Sequence, residues 1–291
     1  MKMWIEKVLF GCRAACRNGR RTNRAHSAAW AVVFAAWAGQ SALAQEPPII
    51  APGLPNYVGV GVGFTPDYLG ANEFFYGGLP FARYQFEPSE RYVSLLGTFA
   101  DFNVINHPII RFGPTVQYRF GRSNVKDNAV DELSSVDATI EAGLFGALDF
   151  VSSEDPRKRV RVGASAQRGV IGEHDGYLVN ATVQGWHPLG RYLLGGIAVG
   201  GTYGSGQYMS TYFGIDGGNA RRSGLERYDA NAGLRDGRVT LGLLMPVAEH
   251  WFVGAGFMYQ RLLDDAADSP IVDDRGTANQ FSGGVGVGYT W

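Results

Sequence analysis

The chain has 291 residues, of which 41 are glycine, 45% are hydrophobic and 18% are charged. Its formal net charge of −1 provides no basic face of the kind that nucleic-acid binding requires. After residue 44 there is no run of about 18 apolar residues, which excludes a transmembrane helix from that part of the sequence.

Residues 1–44 have the pattern of a secretory signal peptide. The chain opens with seven Lys and Arg, residues 28–38 form a short apolar core, and residues 42–44 (Ala-Leu-Ala) provide a cleavage site. Both cysteines, Cys12 and Cys16, lie in this segment, so the processed chain has no thiol for a disulfide or for catalysis. Processing leaves 19 basic and 26 acidic residues, a net charge of −7, which again disfavours nucleic acid as a partner.

Residues 45–56 predict an extended arm ahead of the first strand. The arm contains four prolines, which favour an extended backbone, at Pro47, Pro48, Pro52 and Pro55. We expect this arm to lie in the periplasm, either along a partner protein or as a plain linker. The remainder, residues 57–291, is predicted to form one barrel domain.

Strand-like segments of about ten residues follow one another through this remainder. They are rich in Gly, Tyr, Phe and Val, and turn residues separate them. Eleven are recognisable, at residues 57–64, 75–86, 91–102, 109–120, 138–150, 159–168, 177–186, 192–202, 238–247, 250–262 and 280–291. Bacterial single-chain barrels have an even number of strands. We therefore expect a twelfth strand within residues 99–110 or 208–215, with ten strands as the alternative.

The two-residue alternation of the last segment predicts a membrane barrel. One face of residues 281–291 carries small and polar residues, and the other carries Phe281, Val285, Val287, Tyr289 and Trp291. In residues 250–262, aromatic residues flank an apolar middle, as they do at the two lipid–water interfaces of an outer-membrane barrel. The sequence therefore predicts an all-β, transmembrane antiparallel β-barrel. A large soluble sandwich is the alternative.

The lengths of the connections predict the orientation of the barrel. Residues 187–190 and 248–250 are short turns, whereas 170–176, 203–237 and 263–279 are longer loops. Outer-membrane barrels have short periplasmic turns and long external loops. We expect the last strand to end in the periplasm of a Gram-negative bacterium, with lipid and lipopolysaccharide around the barrel.

Charged residues on the predicted inward faces indicate a filled lumen. They lie on three consecutive segments and include Arg111, Arg119, Glu141, Asp149 and Arg161. Pairing about position 155 places Asp149 opposite Arg161, and pairing about position 130 places Glu141 opposite Arg119. A lone buried charge is costly, whereas a partnered one is tolerated. We hypothesise that these pairs plug the barrel, and a wet lumen with screened charges is the alternative.

The end of the chain resembles the closing strand of outer-membrane barrels. Such strands finish on an aromatic residue, and the resemblance implies that the barrel assembly machinery binds this ending. The matching positions are Gly286, Tyr289 and Trp291, while Gly284 stands where the pattern has a polar residue. These residues are the expected assembly signal.

Four segments resemble the MipA/OmpV family. Residues 66–70 (PDYLG) are similar to an early turn of that family, and residues 113–122 are similar to its G-P-x-x-x-Y-R-F-G-R segment. Residues 208–215 and 262–270, with the residues that follow each, resemble two later loops. The positions marked by this resemblance are Asp67, Tyr68, Gly70, Tyr208, Tyr212, Phe213, Asp265 and Pro270.

The family resemblance implies a scaffold in the outer membrane. The named member of the family binds MltA, a membrane-bound lytic transglycosylase, and helps to tether it to a penicillin-binding protein. Other members are described as adhesins or osmotic-response porins, which is the alternative function. A scaffold would work through the arm or the turn at residues 152–158, whereas an adhesin or pore would work through the loops at 203–237 and 263–279.

No catalytic motif is recognisable in the chain. G-x-S-x-G, H-E-x-x-H and P-loop sequences do not occur in it. Acidic stretches at residues 127–132 and 264–268 suit solvated loops, with divalent-cation binding as the alternative. No serine is placed to be activated by the histidines, which lie in or beside predicted turns at His107, His174, His187 and His250. We expect neither an enzyme nor a cofactor.

Overall fold

Twelve antiparallel strands form a closed barrel in the computed structural model, which describes residues 56–291. The predicted signal peptide and the arm up to residue 55 lie outside the described residues. The strands are β1 (Tyr57–Pro66), β2 (Phe74–Gln85), β3 (Tyr92–Leu96), β4 (Phe99–Asn103), β5 (Ile110–Arg119), β6 (Thr139–Val151), β7 (Arg159–Ile171), β8 (Tyr177–Pro188), β9 (Leu194–Gly204), β10 (Gly233–Pro246), β11 (Trp251–Leu262) and β12 (Asn279–Thr290). The predicted all-β barrel of twelve strands is confirmed, and the alternative of ten strands is wrong.

The twelfth strand is β4 (Phe99–Asn103), which lies within residues 99–110, the first of the two ranges expected to contain it. Residues 91–102 were expected to cross once, but they form the hairpin of β3 and β4, in which Leu96 pairs with Phe99. Gly97 makes the two-residue turn possible, because its φ of +58° lies in the left-handed region that glycine adopts freely. The other candidate, residues 208–215, lies largely in a helix.

Five short helices lie in the long connections. They are α1 (Asn128–Asp131), α2 (Gly206–Phe213), α3 (Gly217–Ser223), α4 (Asp264–Ala267) and α5 (Pro270–Asp273). Within residues 56–291, no helix has the length and apolarity needed to cross a membrane. Ser205 caps α2, since its side chain accepts a hydrogen bond from the backbone N–H of Tyr208.

The connections divide into two groups at opposite ends of the barrel. The loop end carries residues 67–73, 120–138, 172–176, 205–232 and 263–278, which include all five helices. The turn end carries the connections 86–91, 104–109, 152–158, 189–193 and 247–250, none longer than seven residues, together with the last residue, Trp291. The three longest connections, 120–138, 205–232 and 263–278, therefore lie at one end as expected, although the two-residue turn 97–98 and the short loop 172–176 open to the same side. The assignment of the turn end to the periplasm stays a prediction.

The outer wall is apolar along its whole height. Val58, Val60 and Val62 on β1 are each more than half exposed, and the same alternation continues around the barrel. Aromatic rings cluster near both ends of the last hairpin, with Trp251 against Tyr289 at the turn end and Phe257 against Phe281 towards the loop end. Such a wall suits lipid and would be unfavourable in water, so the soluble-sandwich alternative is wrong.

Glycines on the inner face make room for aromatic side chains in the lumen. A Cβ atom on Gly59 would lie 2.2 Å from the Phe81 ring, and one on Gly288 would lie 2.2 Å from the Phe252 ring. The polar residues of the lumen lie mainly on β3–β10. The lumen therefore has a glycine-rich side, formed by β10, β11, β12, β1 and β2, and a polar side.

Candidate functional site

A packed apolar cluster, which we call the plug, lies at the loop end of the barrel. Residues from the loops and from the upper strands form it: Leu69, Val136, Leu178, Tyr208, Met209, Tyr212, Phe213, Ala230, Leu262, Ala266 and Val272. Tyr208, Met209 and Phe213, all on α2, have no exposed surface. Helix α2 therefore lies across the mouth of the barrel and does not project from it.

The positions marked by the family resemblance come together in the plug or at its edge. Gly70 has a φ of +107°, and its backbone N–H donates to Gln280 Oε1 at 3.1 Å. A Cβ atom on Gly70 would lie 2.5 Å from Val272 Cγ2. Pro270 begins α5 and is buried, and the preceding Ser269 hydroxyl donates to the carbonyl oxygen of Phe213 at 2.7 Å.

Asp67 and Asp265 hold loop backbones at the rim of the plug. Asp67 Oδ2 accepts from the backbone N–H of Lys126 at 3.1 Å. Asp265 Oδ2 accepts from the backbone N–H of Asn231 at 2.6 Å, and its carbonyl oxygen accepts from the Tyr228 hydroxyl at 3.0 Å. Each carboxylate therefore joins its own loop to the backbone of another loop. Within residues 56–291, no three His, Asp or Glu side chains are grouped to hold a metal ion.

A buried network lies directly beneath the plug. Arg119 donates to Glu141 through Nε at 2.7 Å and through Nη2 at 3.0 Å. His174 Nε2 lies 3.1 Å from Glu141 Oε1, and the imidazole ring contacts the rings of Tyr208 and Tyr212 with centroids 5.2 and 5.5 Å apart. The network therefore joins β5 and β6 to loop 172–176 and to α2.

Arg119 and Glu141 meet in a register that differs from the prediction. Glu141 pairs with Gln117 and Arg119 pairs with Thr139, so the predicted pairing of these strands is wrong by two residues. The same register continues into the loop, where Arg122 pairs with Val136. The ion pair forms diagonally across the two strands, which a long arginine side chain can span.

His174 was expected only as a turn residue, and its buried position depends on the path of its loop. Gly172 has a φ of +119°, and a Cβ atom there would lie 2.2 Å from the carbonyl oxygen of Ala138. The backbone N–H of Gly169 donates to the carbonyl oxygen of Gly176 at 3.0 Å. The loop thus folds back over the lumen and inserts the imidazole, which strand alternation alone cannot indicate.

A second ion-pair group on β10 was missed because the predicted strand began at Arg238. Asp236 Oδ2 lies 2.6 Å from Arg235 Nη2, and Asp236 Oδ1 lies 3.2 Å from Arg238 Nη1. Arg235 also donates to the Tyr208 hydroxyl at 2.8 Å, which ties this group to the plug. A change of register between Leu234 and Asp236 lets two successive side chains point inward. The closely spaced charges of residues 235–238 (Arg-Asp-Gly-Arg) are the sequence feature that could have indicated this ion-pair group.

A third ion-pair group lies towards the turn end. Arg161 donates to Asp149 through Nε at 2.5 Å and Nη2 at 2.7 Å, and the two residues are directly opposed in the β6–β7 pair. Arg111 Nε lies 3.2 Å from Asp149 Oδ2, and Arg111 Nη2 lies 3.0 Å from Glu90 Oε2. One carboxylate is therefore shared by arginines from β5 and β7.

The expected assembly-signal residues lie on β12 and at the residue that follows it, and they point to opposite faces of the wall. Tyr289 and Trp291 are 36% and 53% exposed, and their rings stack on the outer wall at 6.5 Å. Gly286 points inward, where a Cβ atom would lie 3.0 Å from the Phe81 ring. The aromatic pair is therefore accessible from the membrane side, whereas the glycine has a packing role in the lumen.

Burial within the plug changes the pKa of its ionisable groups. It raises the pKa of Tyr212 to about 12 and lowers the pKa of Arg122 to about 10. Arg122 Nη1 donates to the carbonyl oxygen of Tyr212 at 2.9 Å. Both shifts follow from removal of these groups from water, so the neutral tyrosine is the form that packs in the plug.

Residues 58–291 match the protein family described as MltA-interacting protein MipA. The chain belongs to this family. The protein of Escherichia coli (strain K12) named "Putative outer membrane protein YiaT" is 29% identical to it over 154 residues, which is 53% of this chain and 59% of that relative. The corresponding protein of Escherichia coli O157:H7 matches over the same lengths. The matched part thus covers less than two thirds of these relatives.

Solved structures of outer-membrane proteins show a distant likeness to this MipA-family barrel. An outer membrane channel from Pseudomonas putida F1 has a TM-score of 0.45 at 10% identity, covering 82% of this chain and 96% of that one. The NanC porin has a TM-score of 0.42 at 9% identity, covering 81% of this chain and 100% of that one. Family membership and the apolar outer wall together identify this protein as an outer-membrane barrel.

Removing the buried arginine beneath the plug is expected to destabilise the barrel strongly. Arg119→Met leaves the Glu141 carboxylate buried without its bidentate partner, which should lower the free energy of unfolding by about 3–5 kcal/mol. The urea midpoint, followed by the heat-modifiable gel mobility of the detergent-purified protein, measures this loss. Arg275→Met is the matched control, because Arg275 pairs with Asp127 at the surface and should shift the midpoint little. Equal midpoints would contradict the structural role of Arg119.

Alkaline pH is expected to loosen the plug through Tyr212. Its pKa in the folded protein, about 12, lies above the ordinary value of 10.0, so its contribution to stability is complete below about pH 10 and is lost as the pH rises through about 12. A shift of two pH units corresponds to about 3 kcal/mol. The urea midpoint of the wild type should therefore fall more steeply over this range than that of Tyr212→Phe. If the urea midpoints of the two proteins fall in parallel with pH, ionisation of Tyr212 is not the cause of the alkaline destabilisation.

Proposed function

We propose that this MipA-family protein is a closed scaffold of the outer membrane and not an open channel. The supporting observation is the plug, in which α2 packs across the lumen above the buried Arg119–Glu141 pair. A solute crossing the barrel would have to displace both the apolar layer and the ion pairs below it. A barrel closed in this way would interact with other molecules at its two ends and along its outer wall.

The turn end offers an ordered surface for such a role. We call residues 152–158 and 189–193 the turn-end surface. Arg157 Nη2 pairs with Asp155 Oδ2 at 2.7 Å, and the backbone N–H of Arg157 donates to Asp155 Oδ1 at 3.0 Å. Arg157 Nη1 also lies 3.4 Å from the carbonyl oxygen of Arg191. One arginine therefore joins two turns, and an ordered surface loses less entropy on binding.

The acidic and basic residues of Ser152–Lys158 suggested a contact site for a partner. Some of these charges are instead neutralised by an ion pair within the turn. Because Asp155 and Arg157 pair with each other, the exposed groups left for a partner are Glu154, Arg191 and the half-exposed Tyr192. The Arg191 guanidinium lies 5.3 Å from the centroid of the Tyr192 ring. Arginine and tyrosine are both enriched in protein–protein interfaces.

We propose a lytic transglycosylase of the MltA type as the partner, with a peptidoglycan-synthesising penicillin-binding protein as a further member of the assembly. The description of the family as MltA-interacting supports the first partner. The arm at residues 45–55 would extend the same surface, since Asn56 is anchored at the turn end by hydrogen bonds to Gln85 and Thr290. We also propose that the barrel assembly machinery binds β12 through Tyr289 and Trp291.

Conductance separates the scaffold from the porin alternative. In planar bilayers the wild type should show no steady conductance, because the plug blocks the lumen. Phe213→Asp, which places a charge at a fully buried plug position, should produce openings. Ser210→Asp, at an exposed position on the same helix, should remain closed. Steady large conductance of the wild type would reject the closed scaffold.

Charge reversal should locate the contact with the transglycosylase. Glu154→Arg combined with Arg191→Glu is expected to reduce retention of an MltA-type transglycosylase by at least about tenfold, the change that roughly 1.4 kcal/mol produces. The matched control is Glu226→Arg with Arg227→Glu, which makes the same changes at exposed positions of the loop end. Deletion of residues 45–55 tests the arm separately. Loss of binding in the loop-end control alone would place the contact on the opposite face.

A further inference from the structure

A cavity of about 270 Å³ lies in the lumen on the glycine-rich side of the barrel. Gly61, Gly256 and Gly284 form part of its wall, together with apolar side chains such as Leu244 and Met258. Tyr68 and Leu69 border it on the side of the plug, and strand residues near the turn end border it on the other. The space therefore lies beneath the plug and does not bypass it.

Three aromatic rings separate this cavity from the turn end. Tyr57, Phe81 and Phe252 form a triangle whose ring centroids lie 5.9–6.2 Å apart. All three line the cavity, and Trp186 lies in the same cluster as Tyr57 and Phe252. An apolar group entering from the turn end would meet this layer first, and side-chain rotation is the motion that would admit it.

A hydrogen-bond donor on the cavity wall has no acceptor. Trp186 is 5% exposed, and its indole Nε1 has no hydrogen-bond partner among the described residues. The indole N–H can only donate, and a buried donor without an acceptor is unfavourable. An oxygen atom of a bound molecule would satisfy it.

Positive charge adjoins Trp186 at the same level of the barrel. Arg159 is directly opposite Trp186 in the β7–β8 pair. Whereas Asp149 pairs with Arg111 and Arg161, Arg159 forms no ion pair within residues 56–291, and its buried Nε lacks a hydrogen-bond partner there. A guanidinium beside an indole N–H provides donors for an anion and no acceptor.

We propose that the lumen binds a small amphipathic carboxylate, with its head group at Arg159 and Trp186 and its apolar body in the glycine-walled cavity. The volume holds roughly nine water-sized groups, so the body has about nine non-hydrogen atoms, as in a medium-chain fatty acid. The carboxylate accepts from both side chains, and the alkyl chain replaces empty space against Leu244 and Met258. This binding requires neither the protein partner nor an open lumen.

Trp186 itself can report on binding. After residue 44 the chain has three tryptophans, Trp186, Trp251 and Trp291, and the last two lie on the outer wall. The full-length processed protein carrying Trp251→Phe and Trp291→Phe, in lipid nanodiscs, leaves Trp186 as the single emitter. Octanoate should change its fluorescence saturably. Octanamide, which is neutral and enters lipid more readily, should bind at least about tenfold more weakly.

Two further variants test the two parts of the site. Arg159→Gln should reduce octanoate affinity to that of octanamide, while Arg168→Gln, on the same strand but exposed, should leave it unchanged. Gly256→Leu should abolish binding by filling the cavity, since a Cβ atom there meets only the Leu241 carbonyl oxygen at 3.9 Å. Retained heat-modifiable mobility confirms folding of each variant. Equal responses to octanoate and octanamide, or unchanged octanoate affinity in Arg159→Gln, would overturn the proposal.

Discussion

Closure of the sheet by β1 and β12 is the constraint on which the rest of the structure depends. Hydrocarbon offers no partner for a backbone N–H or C=O, so a sheet that crosses lipid cannot leave an open edge. The two strands pair in register from Tyr57↔Thr290 to Phe64↔Gly283. Once the edge is removed, period-two alternation sends every second side chain into lipid and the others into a confined lumen.

The lumen is filled differently on its two sides. On the polar side, carboxylates such as Glu141 and Asp149 are enclosed by arginines from neighbouring strands, which offsets part of the loss of hydration. On the glycine-rich side, small residues leave space for Phe81, Phe252 and the cavity. Loops fold inward at the upper end, and α2 contributes the fully buried side chains of Tyr208, Met209 and Phe213 there.

Much of this arrangement could be predicted from local pattern. Most strands and the placement of the longest connections at one end follow from alternation and turn residues, but the alternation in residues 75–86 and 91–102 was too poor to assign their faces. The charged residues of β5, β6 and β7 were placed on inward faces by the same rule. Pattern failed at residues 91–102, where the positive φ of Gly97 creates a turn. It also failed at Arg235 and Asp236, where a change of register breaks the alternation.

By itself the sequence determined the class of the fold, because a period of two has the same physical meaning at every crossing of the membrane. It also placed the charged residues of β5, β6 and β7 on the lumen face. Only the tertiary structure decided how these side chains combine. The Arg119–Glu141 contact depends on a register set through loop 120–138, and the buried site of His174 depends on a loop that folds back. The joining of Gly70 to Val272 and Gln280 likewise brings together residues some 200 positions apart. Such contacts are long-range packing events, and alternation along a single strand carries no information about them.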